Sequence, residues 1–345
     1  MIQIYMSLPC ASLTALPPER ALWLTCQRPP EGGVGAWGSP FGWLVTFGGK
    51  DLEFSLVNPF SRTSLPLPSL QTLIAIDEYD PNKCFTKAFL MASPSSLDFL
   101  VLVLINPSDI YTNKEDFILG FAKPAQDKAW SLIEGLFHLH DIVSFKGNLC
   151  GAGNDINGNT RIVQIQIKQR RPVGFSTPLN LPGIDDQAHE KYCYIEKYLV
   201  VLDGELCLVL HFIIMLPILS TLYFKILKVD MSTKKWTPVR LLGDQCLFLG
   251  NNYTFTCKGI PPLFEQFKRD ATPDNYRSNY IYYGHDDDLY PLNRDVGVFD
   301  IKHRVQICRN LIAPNTNPPV WITPSLQISE GLGKWSLSKY WLKER

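Results

Sequence analysis

The residues whose types and spacing could support chemistry are few. His138-Leu139-His140-Asp141 places two imidazoles at alternate positions, and on one strand face such a pair could ligate a metal ion. No distant ligand pattern accompanies them, so partly exposed strand residues are expected here. Gly151-Ala152-Gly153-Asn154-Asp155-Ile156-Asn157-Gly158 is the nearest approach to a phosphate-cradling loop. It lacks the G-x-G-x-x-G spacing, a following helical pattern, and the Lys-Ser/Thr pair that would hold phosphate and magnesium, and is read as a β-turn. Asp286-Asp287-Asp288 lacks the remaining ligands of a calcium loop and is read as an acidic, solvated turn. Neither a G-x-S-x-G elbow nor an HExxH helix is present. No catalytic, cofactor-binding or metal-ligating residue is nominated, and no cofactor is expected.

The nine cysteines (Cys10, Cys26, Cys84, Cys150, Cys193, Cys207, Cys246, Cys257 and Cys308) form no CxxC or other metal-ligand spacing. Most sit in apolar runs such as Leu206-Cys207-Leu208-Val209, where a thiol behaves as a small hydrophobe. An odd, scattered set fits a reducing compartment better than a disulfide framework, which predicts an intracellular chain, cytoplasmic or nuclear. The sequon at Asn252-Tyr253-Thr254 stands without other secretory features and is expected to go unused. Lys plus Arg balance Asp plus Glu at 33 each, which argues against a nucleic-acid partner, since such binding relies on a basic surface. The run Leu206 to Phe224 contains His211, Pro217, Ser220 and Thr221. It reads as strand, turn and strand rather than a membrane span, and no membrane partner is expected.

What must position these residues is a set of strands. With 345 residues, 46% of them hydrophobic, the chain can bury a large core. No long stretch keeps a helical period. Short apolar or alternating runs recur instead, separated by Gly, Pro, Asn or Asp. Ile162-Val163-Gln164-Ile165-Gln166-Ile167 ends in strict alternation and predicts a half-buried strand. Tyr198 to Val209, with Asp203-Gly204 at its centre, predicts a hairpin on a type I′ turn, because both central residues need positive φ. Phe145-Lys146-Gly147-Asn148 predicts a second tight turn.

A weak internal repeat links the strands: a strand ends in a polar turn and a Trp opens the next. Phe121 to Trp130 and Val229-Asp230 to Trp236 are two copies. Leu56-Val57-Asn58 onward and Val298-Phe299-Asp300 to Val305 repeat the turn without the Trp. In kelch-like propellers this is a junction between strands of one blade, with an aromatic side chain wedged against the neighbouring blade. The pattern predicts an all-β, kelch-like β-propeller of about six blades, at roughly 45–60 residues per unit. A β-sandwich with chance aromatics is the competing architecture. Trp43, Trp130, Trp236 and Trp321 are expected in the core, whereas exposed Tyr or Trp on a face would anchor a protein partner. The division expected is a short, poorly ordered N-terminal segment 1–20, a propeller 21–326 and a C-terminal tail 327–345. Ala21-Leu22-Trp23-Leu24 is the expected closing strand beside the one containing Trp321.

Several segments, in this order, resemble the plant KIB-like β-propeller family, whose members often carry an F-box ahead of the propeller. They are Gly42-Trp43-Leu44-Val45, Val57-Asn58-Pro59-Phe60-Ser61-Arg62 with Leu65-Pro66-Leu67-Pro68, Tyr198-Leu199-Val200 with Gly204-Glu205-Leu206, and Phe224-Lys225-Ile226 with Lys235-Trp236. Leu242-Gly243-Asp244 with Leu247-Phe248-Leu249-Gly250, Asn279-Tyr280-Ile281-Tyr282-Tyr283, Gly297-Val298-Phe299 and Pro318-Pro319-Val320-Trp321 complete the set. The resemblance implies a propeller that captures a protein, in many members as the substrate receptor of an SCF-type ubiquitin ligase. No F-box pattern precedes Gly42: Arg28-Pro29-Pro30-Glu31-Gly32-Gly33 cannot continue a helix. Contact with the Skp-type adaptor is therefore not expected, and a stand-alone propeller or a shortened gene product is. The expected function is non-enzymatic protein interaction with an unidentified protein target, in the manner of an F-box substrate receptor or as a stand-alone binder; an enzyme using the propeller channel is the remaining alternative.

Overall fold

Strands apolar at nearly every position, such as those around Val101 and Leu208, need cover on both faces. In the computed structural model they receive it from neighbouring sheets arranged in a ring. The residues described are 2–7, 10–14, 34–38, 40–48, 53–58, 63–73, 85–92, 99–105, 118–133, 138–155, 157–168, 171–180, 193–214, 220–250, 254–258, 277–286, 294–309 and 320–322.

Near the N-terminus, β1 (Ile2–Ser7) pairs antiparallel with β2 (Cys10–Thr14). Blade 1 follows as a meander of β3 (Val34–Gly38), β4 (Leu44–Gly48), β5 (Glu53–Asn58) and β6 (Thr63–Pro66). Blade 2 is β7 (Phe85–Leu90), β8 (Val101–Ile105), β9 (Ile118–Ala122) and β10 (Ser131–Ile133). Blade 3 is β11 (His138–Phe145), β12 (Asn148–Asn154) and β13 (Thr160–Lys168), its outer edge shared by β14 (Arg171–Phe175) and β15 (Leu179–Asn180). Blade 4 is β16 (Cys193–Leu202), β17 (Glu205–Ile214), β18 (Ser220–Asp230) and β19 (Lys235–Val239).

Blade 5 breaks the meander. β20 (Gln245–Gly250) turns back into β21 (Phe255–Lys258), and β22 (Tyr280–Asp286) then lies parallel to β20 on its other side. β23 (Arg294–Asp300) and β24 (Val305–Arg309) complete the sheet in the order β21-β20-β22-β23-β24. A parallel neighbour requires a crossover, and the long Pro261 to Asn279 stretch supplies the length for it. Last comes β25 (Val320–Ile322), which pairs with β1 so that Gln3 faces Trp321.

The described residues thus form five blades, where about six were expected. Residues 34 to 309 supply all five at about 55 residues each, because several blades carry long connections. Outside that span the described strands build only the three-stranded sheet β2-β1-β25. β25 approaches β3 of blade 1 and β20 of blade 5, so this sheet spans the gap between the first and last blades. The strand paired with the one containing Trp321 is β1, and Ala21 to Leu24 lie outside the described residues.

Four apolar clusters fill the spaces between successive blades. On β8, Val101, Val103 and Ile105 pack toward Val45, Phe54 and Leu56 of blade 1, while Leu102 and Leu104 pack toward Leu139, Ile142 and Val163 of blade 3. On β17, Leu206, Leu208 and Leu210 join Cys150 and Ile162 of blade 3, while Cys207 and Val209 join Leu247 and Tyr283 of blade 5. Period-two alternation therefore survives as a choice between two neighbours, not between core and water. Leu206 to Phe224, the one long apolar run, is consumed by the antiparallel β17 and β18. Among the described residues no helix is long and apolar enough to cross a membrane.

The repeat has a defined role. Trp130, 5% exposed, donates its Nε1–H to the Pro68 carbonyl at 2.9 Å and meets Phe54 edge-on at 6.1 Å, wedging blade 2 against blade 1. Trp236 packs with the cluster that joins blades 3 and 4. Of the other expected core tryptophans, Trp43 packs half-buried against the first cluster. Trp321 is described through its backbone pairing.

Candidate functional site

In the ring, the first strands of neighbouring blades approach each other, β3 with β7 and β11 with β16. Side chains on these inner strands are the ones a central site would use. The densest group of ionisable residues lies there. Lys87 on β7 places Nζ 2.6 Å from Asp141 Oδ1 on β11, with both side chains buried. Asp141 Oδ1 also accepts from the Ile142 amide at 2.7 Å, and Oδ2 from the Leu199 amide on β16 at 2.9 Å. Lys87 Nζ lies 5.9 Å from the centre of the Tyr198 ring, a favourable cation–π position. One carboxylate therefore ties blades 2, 3 and 4 together.

A register shift between Leu139 and Asp141 re-aims this part of β11. Beside it, His140 Nδ1 lies 3.7 Å from Glu196 Oε1, while the Tyr194 hydroxyl donates to Glu196 Oε2. An imidazole, a carboxylate and a phenol within reach of one another are the ingredients of proton transfer. Asp141, however, has both oxygens engaged by partners from the chain. The void bordered by Lys87, Ala88, Phe89, Leu102, Leu104 and Ile142 is too narrow for a water molecule.

A second polar group joins blades 4 and 5. His211 Nε2 lies 2.6 Å from Thr221 Oγ1, and Asp295 Oδ2 accepts from that hydroxyl at 2.5 Å and from the Thr221 amide. His211 is fully buried, stacked on Phe224 at 4.3 Å with Tyr283 edge-on at 5.4 Å. The trio contains the residue types of a nucleophilic triad in the wrong order. The carboxylate holds the hydroxyl, where a triad needs it on the histidine. Sealed from solvent, the group acts as an inter-blade clamp.

The motifs flagged in the sequence scatter. His140 is half-buried on β11, in line with a strand residue, and the side chain of His138 lies outside the described set. Asp141, by contrast, is buried because the inner strand of blade 3 packs between its neighbours. Gly151 and Gly153 lie within β12 rather than in a turn. A Cβ at Gly151 would meet Leu139 Cδ2 at 2.8 Å, so close strand packing explains that glycine. The turn comes at Asp155 to Asn159, where Asp155 accepts from the Asn157 and Asn159 amides and pairs with Arg161 at 2.6 Å. Partial desolvation pushes its carboxyl up, but these hydrogen bonds and the Arg161 charge prevail and hold it below the ordinary range. Asp286 ends β22, and Asp287 and Asp288 lie outside the described residues. Among those whose side chains are described, no group of three His, Cys, Asp or Glu could hold a metal ion. Burial pushes the Cys150 and Cys207 thiols up to about 11, in keeping with their hydrophobic role.

Sequence reasoning missed the Lys87–Asp141 and Thr221–Asp295 ties. The trace of the first was a single formal charge in each of two short strands, Lys87 in Phe85 to Leu90 and Asp141 in His138 to Phe145.

Such polar residues, spent on holding one blade to the next, define a β-propeller scaffold. The chain belongs to the KIB1-4 beta-propeller family, whose pattern matches residues 15–300. It is 23% identical over 208 residues to the F-box/kelch-repeat protein KIB1 of Arabidopsis thaliana, an alignment covering 60% of this chain and 47% of that protein. The chain thus aligns with about half the length of its curated relative. A solved polysaccharide lyase of family PL25, an ulvan lyase bound to a sulfated glucuronate–rhamnose saccharide, aligns at 8% identity and a TM-score of 0.38. That alignment covers 60% of this chain and 56% of the lyase. At that level the likeness bears on neither fold nor function.

Proposed function

We propose that this propeller is a protein-interaction module that captures a protein target for an F-box-type assembly, without catalysing a reaction itself. Its membership of the KIB1-4 beta-propeller family carries the reading, together with its likeness to a relative described as an F-box/kelch-repeat protein. The geometry adds support. The inner-strand carboxylate Asp141 and the His211–Thr221–Asp295 group are committed to inter-blade bonds, while several of the exposed apolar side chains lie on outermost strands. These are Leu132 on β10, Val173 on β14, and Val305 and Ile307 on β24. Apolar groups left in water at a rim are the kind of surface that a partner covers.

Affinity purification of the tagged chain from plant extract, with mass spectrometry of what co-purifies, tests the reading. Recovery of one defined target is the expected result, and a Skp-type adaptor and cullin beside it would establish the ligase link. A target without adaptor or cullin would keep the capture role and remove the ligase link. Turnover of a small molecule by the purified chain, abolished by substitutions on the inner strands, would overturn the proposal.

A further inference from the structure

The inner edge of blade 5 carries two thiols whose chemistry the interaction role does not use. Cys246 on β20 and Cys257 on β21 are directly opposed in the antiparallel register, and their Sγ atoms lie 3.1 Å apart. Opposed residues in such a ladder have Cα atoms about 4.5 or 5.5 Å apart, inside the span of about 4.4–6.8 Å that a disulfide bridges. Closing the bond to about 2.05 Å needs only about 1 Å of sulfur movement. Cys246 is fully buried against Phe248, Phe255 and Tyr282, whereas Cys257 is half-buried and within reach of a small oxidant.

We infer that Cys246 and Cys257 form a reversible redox modification site that a hydroperoxide closes into a cross-strand disulfide. The Cys257 thiolate attacks one peroxide oxygen. The O–O bond breaks, hydroxide leaves and Cys257 becomes the sulfenic acid. The Cys246 sulfur then attacks the Cys257 sulfur, its proton goes to the departing hydroxyl, and water leaves. In sum, two thiols lose two electrons and two protons, and one hydrogen peroxide becomes two waters. The asymmetry suits these roles: the hydrogen bond between the two sulfurs holds the Cys257 thiol below its ordinary value and pushes the Cys246 thiol up. The thiolate is thus the more exposed of the two. The disulfide would tie β21, the edge strand of blade 5 among the described residues, to β20. β21 reaches blade 4 through Thr256, whose hydroxyl donates to the Val201 carbonyl at 3.1 Å.

The test treats the purified, reduced chain with hydrogen peroxide, alkylates remaining thiols, digests it with chymotrypsin, which cuts after the aromatic residues between the two cysteines, without reductant, and maps cross-linked peptides. The expected product is a peptide pair joining Cys246 to Cys257, lighter by two hydrogens than the separate peptides and released by dithiothreitol. In Cys246→Ser, which lacks the resolving thiol, Cys257 is expected to accumulate a sulfenic acid that dimedone traps. Retention of both thiols in alkylatable form after peroxide has oxidised other cysteines would overturn the inference. So would a disulfide linking either residue to a different cysteine. The wild-type mapping decides the matter even if the serine variant fails to fold.

Discussion

At the scale of single residues, the interior holds a few polar side chains whose partners come from other blades. Removing one partner leaves the other buried without compensation, which costs more than the pair's net contribution. Asp141→Ala is expected to destabilise the chain by about 3–5 kcal/mol in chemical denaturation, because it strands the Lys87 ammonium. Lys87→Met combined with Asp141→Leu is expected to recover the part of that loss due to the stranded charge but not the part due to the unpaired Ile142 and Leu199 amides, a non-additivity that a double-mutant cycle reads directly. Trp130→Ala removes both a large wedge and a hydrogen bond between blades 1 and 2, and is expected to cost about 3–5 kcal/mol in the same assay. The acid limb of stability has an identifiable contributor in Asp300. Desolvation pushes its carboxyl up, but the His303 ring at 2.7 Å and the His303 amide at 3.0 Å outweigh it and hold the carboxyl below 3.8. A depressed folded value means that the unfolded chain takes up the proton more readily. The stabilisation is then complete above 3.8 and drains as pH falls through the lower folded value. Asp300→Asn should flatten the loss of stability as pH falls below about 4, followed by circular dichroism.

At the scale of strands and turns, much was legible. The Asp203-Gly204 and Lys146-Gly147 turns have positive φ at both residues, as type I′ geometry demands. The repeated polar turn is a local device: Asp230 accepts from the amides of Ser232 and Thr233, Asp300 from that of His303, and Lys234 and Arg304 take positive φ four residues on. Less legible was the link between two motifs of the family resemblance. The Asn279 side chain accepts from the Leu242 amide at 2.7 Å and donates to the Gly243 carbonyl at 3.0 Å, pinning the turn ahead of β20 to the start of β22. Asn279→Ala is expected to cost about 1–3 kcal/mol by leaving these groups unpaired, with faster amide exchange in β20 and β22 as its local signature. Neither the parallel β20–β22 pairing nor the buried ties could be read from periodicity. Periodicity reports which faces are covered, not which strand covers them.

At the scale of the whole molecule, the ring architecture followed from turns and apolar runs, but the blade count did not. Repeat length alone cannot tell a four-stranded blade from the smaller sheet that the chain ends build. That sheet occupies the gap between blades 1 and 5, so deleting residues 1–14 should uncover the edge of β25, lower the melting temperature and raise aggregation on heating. Scanning calorimetry with light scattering checks this, and an unchanged melting curve would remove β1 and β2 from any stabilising role. The same pairing also imposes an order of events during synthesis. β1 leaves the ribosome about 310 residues before its partner β25. Until then β1 and β2 form an isolated two-stranded hairpin, marginal in water, while the blades between them assemble. The newborn chain therefore carries an unpaired strand edge while all five blades are made, and slower elongation lengthens the interval in which a chaperone must shield it.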